Sequence, residues 1–318
     1  MQMHKWFLAG ICAGALATPV VLHRLSLTLL GVEHKDSAWV GDALREKGEI
    51  ASRTTVPQVL LVGGSNVNYG YSAAQIMREF SVPATNLAVH AGLGRRYIFW
   101  DCLRHAKRGD LVVLALEYAL YGPPFHDPAE RYQAFIYDRA YYEQLAWLEK
   151  LYLLGSLSPP EWATLWRSKA GLSGREGDRE NAMVLNNRGD QTDNTRSDVI
   201  FQAGPWGKEI VDPQFVGDLR DFANALRRRG VEIVLAFPNL RHAEFHRRVT
   251  PAFINDVYRA ADDAKVKVVG TPEASSFPSA YVYNTAYHLN AAGTQLATRR
   301  LVRQLLEAGI ELPSRHAR

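Results

Sequence analysis

The chain has 318 residues, 47% hydrophobic and 22% charged, with a formal net charge of +4. Those proportions exclude a disordered or low-complexity chain and fit one large globular domain or two modest ones. The positive charge is scattered among acids, and its one compact run, Arg227-Arg228-Arg229, falls at a predicted helix end, where cations favour the helix dipole. No aromatic or basic stripe accompanies it, so nucleic acid is not an expected partner. The two cysteines, Cys12 and Cys102, offer neither a disulfide framework nor metal-ligand spacing. No cofactor motif or metal site is expected.

Residues 1–31 read as a signal anchor or a signal peptide. A basic lead ends at Lys5, and Trp6 to Leu22 is apolar and free of charge. That length sits at the lower edge of the about 17–25 residues that span a bilayer. Ala15-Leu16-Ala17 offers a cleavage pattern, so secretion after cleavage near Ala17 is the alternative to an anchor, and a buried core helix is a third reading. Lys5 favours an inside N-terminus and Arg24 opposes it. Residues 32–56 are polar and read as a linker with a short helix.

From residue 57 to 313 the pattern alternates. Val59–Val62 is a buried strand, followed by Gly63-Gly64-Ser65-Asn66 and a helix from Ser72 to Phe80 with Ser72 as N-cap. Thr85–Val89 is a short strand and Arg95–Lys107 a helix. Asp110–Leu116 is a clear buried strand. Phe215–Arg229 is an amphipathic helix, with Phe215, Leu219, Phe222, Ala223 and Leu226 at helical spacing. Val231–Phe237 and Val266–Val269 are strands, and Phe253–Asp263 and Asn290–Ala308 are helices. About five aliphatic strands separated by helices predict an α/β domain, its mainly parallel sheet covered on both faces.

Residues 119–212 break this rhythm and read as an insertion, helical first and loop-like afterwards. Its aromatics, among them Tyr132, Phe135, Tyr141, Tyr142, Trp147, Tyr152 and Trp166, either pack its helices or line a carbohydrate or acyl cleft. Arg188-Gly189-Asp190 spells an adhesion tripeptide, whose chance occurrence in a polar loop is the better reading.

Open parallel sheets place their chemistry at the carboxyl edge, where Ser65 arrives. His288 lies on a loop just before the last helix. A serine is a weak nucleophile and needs a base, so the pair reads as nucleophile and base. The backbone N–H groups of Ser65 and Gly92 are candidate oxyanion donors. Gly63-Gly64-Ser65 as an anion nest for a nucleotide is a remote alternative, since neither a P-loop lysine nor a Gly-x-Gly-x-x-Gly run is present.

Gly63-Gly64-Ser65-Asn66, the stretch from Asn86 to Gly92-Leu93-Gly94, and Tyr287-His288-Leu289-Asn290 together resemble the SGNH (GDSL-like) hydrolase superfamily. They look most like its envelope members in polysaccharide O-acetylation and teichoic-acid acylation. The resemblance covers about residues 57–308, with the insertion unmatched. It implies a three-layer α/β/α, flavodoxin-like fold and a serine esterase or O-acyltransferase. The implied substrate is an acyl ester, foremost an acetyl ester, of a bacterial cell-envelope glycan. The implied partners are an acylated glycan or an acyl-donor protein, with the main domain extracytoplasmic, held at the inner membrane by residues 1–31. Two positions depart from the family. The usual Asp before the histidine is replaced by Asn284 and Thr285, and Asn284 is expected to hold the ring by its side-chain oxygen. The usual Asn after the middle strand is replaced by Glu117, which would repel an oxyanion when ionised and is expected instead to orient His288. Asn66 is either the missing side-chain donor or a structural residue of the turn. A catalytically degenerate relative that binds polysaccharide or scaffolds an export complex is the alternative function.

Overall fold

The computed structural model describes residues 38–123, 137–172, 183–195 and 209–313, with residue 133 and most of 17–29. The apolar stretch from Trp6 to Leu16 and residues Tyr132 and Phe135 lie outside them. In chain order the elements are α1 (Ala38–Arg53), β1 (Val59–Gly63), α2 (Ser65–Asn68), α3 (Ala73–Phe80), β2 (Ala84–Asn86), α4 (Gly94–His105) and β3 (Leu111–Ala115). Then follow α5 (Arg139–Gln144), α6 (Trp147–Gly155), α7 (Pro159–Lys169), α8 (Pro213–Arg228), β4 (Glu232–Ala236), β5 (Leu240–Arg241) and α9 (His242–Arg248). The chain closes with α10 (Pro251–Asp263), β6 (Lys267–Val269), β7 (Ser276–Phe277) and α11 (Ala291–Glu307). It divides into two compact units: Met1–Gly41 with His126–Ala182, and Asp42–Phe125 with Met183–Arg318.

The second unit is an α/β fold. Its five-stranded sheet has the order β2-β1-β3-β4-β6, every neighbour parallel. This is the flavodoxin-like order, and it puts the topological switch point between β1 and β3. Strands buried on both faces read as continuous aliphatic runs, as Val59-Leu60-Leu61-Val62 and Leu111-Val112-Val113-Leu114 do. On one face Val59, Leu61, Val113 and Val234 pack with Ile76 of α3 and Ala297, Leu301 and Leu305 of α11. On the α4 and α8 side, Phe99 and Phe222 stack at 4.2 Å. The arginine run at the end of α8 acts locally: Arg227 donates to the carbonyls of Ala264 and Lys265 at 2.5 and 2.8 Å.

In the stretch expected to be a linker with a short helix, α1 runs for sixteen residues. Its exposed face carries Asp42, Arg45, Glu46 and Glu49, which give the sequence a solvated look. The other face buries Ala43, Leu44 and Ala51, and with them the whole of Lys47.

Residues 183–195, expected to be loop, form an ordered strap along the β2 edge. Asn86 N–H donates to the Arg188 carbonyl at 2.9 Å, and Gly189 takes φ +78°, with room for no side chain because a Cβ would lie 2.5 Å from the Asn86 carbonyl. Asp190 then caps α3. Its carboxylate accepts from the N–H groups of Ala73 (2.6 Å) and Ala74 (2.9 Å), from Ser72 Oγ (2.9 Å) and from Asn186 Nδ2 (2.9 Å). The aspartate of the Arg-Gly-Asp tripeptide is thus buried in a helix cap. Asp190→Ala is expected to lower unfolding stability by about 2–3 kcal/mol, read from urea titrations, because a cap is lost and buried donors are stranded.

The first unit holds α5, α6 and α7. Asp138 caps α5 through Tyr141 N–H (3.0 Å), and Glu161 returns to Ser158 N–H (2.7 Å) at the start of α7. Tyr141, Tyr142, Leu153, Leu154 and Leu165 are buried, whereas Trp147, Tyr152 and Trp166 are exposed. Among the described residues no helix is long and apolar enough to cross a membrane.

Candidate active site

β1 ends at Gly63, and the chain turns at once into α2, a single helical turn that begins with Ser65. Both glycines are required by close approach. A Cβ on Gly63 would lie 2.3 Å from the Ala115 carbonyl oxygen of β3, and one on Gly64 would lie 2.4 and 2.6 Å from the Glu117 carboxylate oxygens. The same Gly64 position is 2.8 Å from Ala91 Cα, so the turn carrying Gly92 packs directly on it. Three blocks distant in sequence therefore converge on Gly64 at the β1/β3 switch point.

Glu117 follows β3 and is 3% exposed. Its Oε1 accepts hydrogen bonds from Ser65 Oγ at 3.2 Å and from Asn66 N–H at 2.8 Å. Burial raises its carboxyl to about 6, and the bonds from Asn66, its own N–H, Ser65 and Gly64 pull the other way. Among the described residues its Oε2 is buried without a hydrogen-bond partner. The expectation that Glu117 orients His288 is corrected here: the carboxylate faces the serine, because β3 lies beside β1 and its end points at the α2 turn.

Asn66 is fully buried, and its Nδ2 donates to the Ala115 carbonyl at 2.9 Å. That bond ties Asn66 into the turn, the structural one of its two expected roles.

His288 is half-buried on the loop before α11. A bridge between Val282 and Leu289, with Tyr283 N–H donating to the His288 carbonyl at 2.8 Å, closes this loop. The closure brings Asn284 Oδ1 to 2.7 Å from His288 Nδ1. An amide oxygen only accepts, so Nδ1 carries the proton and Nε2 keeps its lone pair. Asn284 thus holds the ring as expected, and Thr285 supplies only its carbonyl to His288 N–H at 3.2 Å. Burial holds the imidazole well below its ordinary range, and nearby His90 adds to the effect, so His288 is neutral at physiological pH. Its ring stacks at 4.3 Å on Tyr69, the residue that caps the end of α2. Among the described residues no hydrogen bond joins Ser65 to His288.

Two supports were invisible in the sequence. Lys47 Nζ donates to Asn68 Oδ1 at 2.7 Å and to the Ala88 carbonyl, tying α2 to the segment that leads to Gly92. Asn194 Nδ2 donates to the Leu289 carbonyl and to Thr294 Oγ1, both at 3.1 Å, which fixes the histidine loop to α11. Lysine usually signals a solvated position, and an asparagine in a polar stretch usually signals a turn, so neither gave a cue. A groove lined by Glu49, Arg53, Val56, Met77, Pro83 and Arg188 lies at the amino ends of β1 and β2, away from Ser65. Among the described residues no three His, Cys, Asp or Glu side chains gather as a metal-binding group.

No family model and no curated protein matches the chain. Among solved structures, the crystal structure of protein YxiM from Bacillus subtilis is similar at 13% identity and a TM-score of 0.37, over 81% of this chain and 58% of that one. The chain therefore spans less than two thirds of that protein's length.

Proposed function

We propose that this chain is an SGNH-type serine enzyme that transfers or hydrolyses acyl esters through Ser65. The observation that carries this reading is the Ser65 Oγ–Glu117 Oε1 hydrogen bond of 3.2 Å at the β1/β3 switch point. A nucleophile in contact with a proton acceptor is the minimum that acyl chemistry needs. The neutral, Asn284-held His288, on the loop before α11 and stacked on Tyr69, adds a second acceptor at the edge of the site. The N–H groups of Ser65 and Gly92 remain the donors proposed for the oxyanion. Ser65 Oγ attacks the acyl carbon, the alcohol leaves, and water or a second hydroxyl resolves the acyl-serine.

The substrate we propose is an acylated cell-envelope glycan, with an acyl-donor protein as partner for the transfer reaction. The basic lead and apolar stretch from Trp6 to Leu22 support an extracytoplasmic placement for this chemistry. The measurement is acetate release from p-nitrophenyl acetate and from an O-acetylated polysaccharide. Ser65→Ala is expected to reduce both by at least about 10³-fold. Equal release by parent and variant would sink the reading.

One observation favours a second reading, a non-catalytic glycan-binding relative. Glu117 takes the Asn66 N–H that lies beside the nucleophile, and His288 makes no bond to Ser65. In that case a folded parent releases no acetate yet retains polysaccharide on an affinity matrix.

A further inference from the structure

We infer that Glu117, not His288, is the base that takes the proton from Ser65. The inference rests on the reading of Ser65 as a nucleophile and names its proton acceptor. Glu117 Oε1 is the group that Ser65 Oγ already touches, at 3.2 Å, while His288 stacks on the face of Tyr69, the residue after α2. The buried carboxylate has one lone pair committed to Asn66 N–H, and among the described residues its Oε2 has no hydrogen-bond partner. The titratable groups that face it are Tyr121 and Tyr287, buried phenols that are both raised and so stay neutral. No cation among the causes acting on Glu117 holds it ionised, and its basicity is correspondingly high for a carboxylate.

The step balances without an outside reagent. As Oγ forms its bond to the acyl carbon, the Oγ proton moves to Glu117 Oε1 and the carbonyl π pair moves onto oxygen. The negative charge thus leaves the carboxylate as it appears on the oxyanion. An ionised Glu117 would repel that oxyanion, and protonation during attack removes the repulsion. It also releases the Asn66 N–H from a charged acceptor, beside the point where the new charge develops. Collapse breaks the bond to the leaving alcohol oxygen, which takes the proton back from Glu117. The regenerated carboxylate then accepts a proton from the water or hydroxyl that attacks the acyl-serine, and returns it to Ser65 Oγ as the bond between Oγ and the acyl carbon breaks. His288, with Nε2 free, accepts a hydrogen bond from that incoming group and orients it.

The test is the rate at which a fluorophosphonate labels the full chain between pH 5 and 9. With Glu117 as base, the parent's rate climbs with a midpoint near pH 6 and then levels. Glu117→Gln lowers the plateau by at least about 100-fold and removes the pH-dependent rise, whereas His288→Ala, whatever its plateau, keeps the midpoint near pH 6. Glu117→Asp, which keeps a carboxylate, labels slowly but retains a pH-dependent rise. A thermal melt of each variant at pH 7.5 confirms that it is folded, and the parent's own profile needs no variant. A flat parental profile with labelling lost in His288→Ala overturns the inference and leaves Ser65 as nucleophile. No labelling of the folded parent at any pH overturns both.

Discussion

Gly63→Ala is expected to destabilise the α/β unit by about 3 kcal/mol or more, measured by urea unfolding. The new methyl carbon would stand 2.3 Å from the Ala115 carbonyl oxygen and 2.5 Å from Val67 Cγ2. The first of these is backbone in the central strand β3, paired in register with β1 on one side and β4 on the other, so it has little room to retreat. The same carbonyl accepts from Asn66 Nδ2, and displacing it strands a buried amide. Gly64→Ala offers an instructive contrast. Its nearest neighbours are the Glu117 carboxylate oxygens, a side-chain end, with the backbone Ala91 Cα next at 2.8 Å. That variant is expected to lose the Ser65–Glu117 contact as well as stability. A Gly63→Ala protein within 1 kcal/mol of the parent would contradict the packing of β1 on β3 described above.

The second large effect is a pH dependence set by Lys47. Burial lowers its ammonium to about 7 from 10.5, and Asp190, Glu46 and Asp101 pull it back up only in part. The unfolded chain therefore binds more protons than the folded one between pH 7 and 10.5, and stability rises with pH across that window. Below pH 7 the full penalty is present and constant. Over the whole window the gain is on the order of 5 kcal/mol, of which about half falls between pH 7 and 9. Lys47→Met has no such titration but leaves Asn68 Oδ1 and the Ala88 carbonyl without their donor. The stability of the parent minus that of the variant should thus grow by about 2 kcal/mol from pH 7 to pH 9. A difference that stays flat would mean that Lys47 is solvated.

Much of the frame was legible because its signals are local. Aliphatic runs gave the five strands to within a few residues, and Ser72 and Asn290 announced the starts of α3 and α11, where each caps through its side chain. Asn284 was legible for the same reason, since a loop of five residues from 284 to 288 leaves its side chain little choice but the ring. What stayed hidden depends on which strand lies next to which. Glu117 is visible as a carboxylate at a strand end, but its target follows from the pairing of β1 with β3, which sequence spacing does not encode. Asn66 carried two open roles until the last carbonyl of β3 selected one. The strap at 183–195 has the composition of a free loop. Its order comes from partners such as Asn86, Ser72 and Leu289, about 100 residues away in either direction.

The central claim is that Ser65 is an activated nucleophile, and the most direct measurement is intact-mass analysis of the folded chain after fluorophosphonate treatment, followed by peptide mapping. The account predicts one adduct per chain, located on Ser65 and absent from Ser65→Ala. A folded parent that takes up no adduct, or takes it up at another residue, would contradict it.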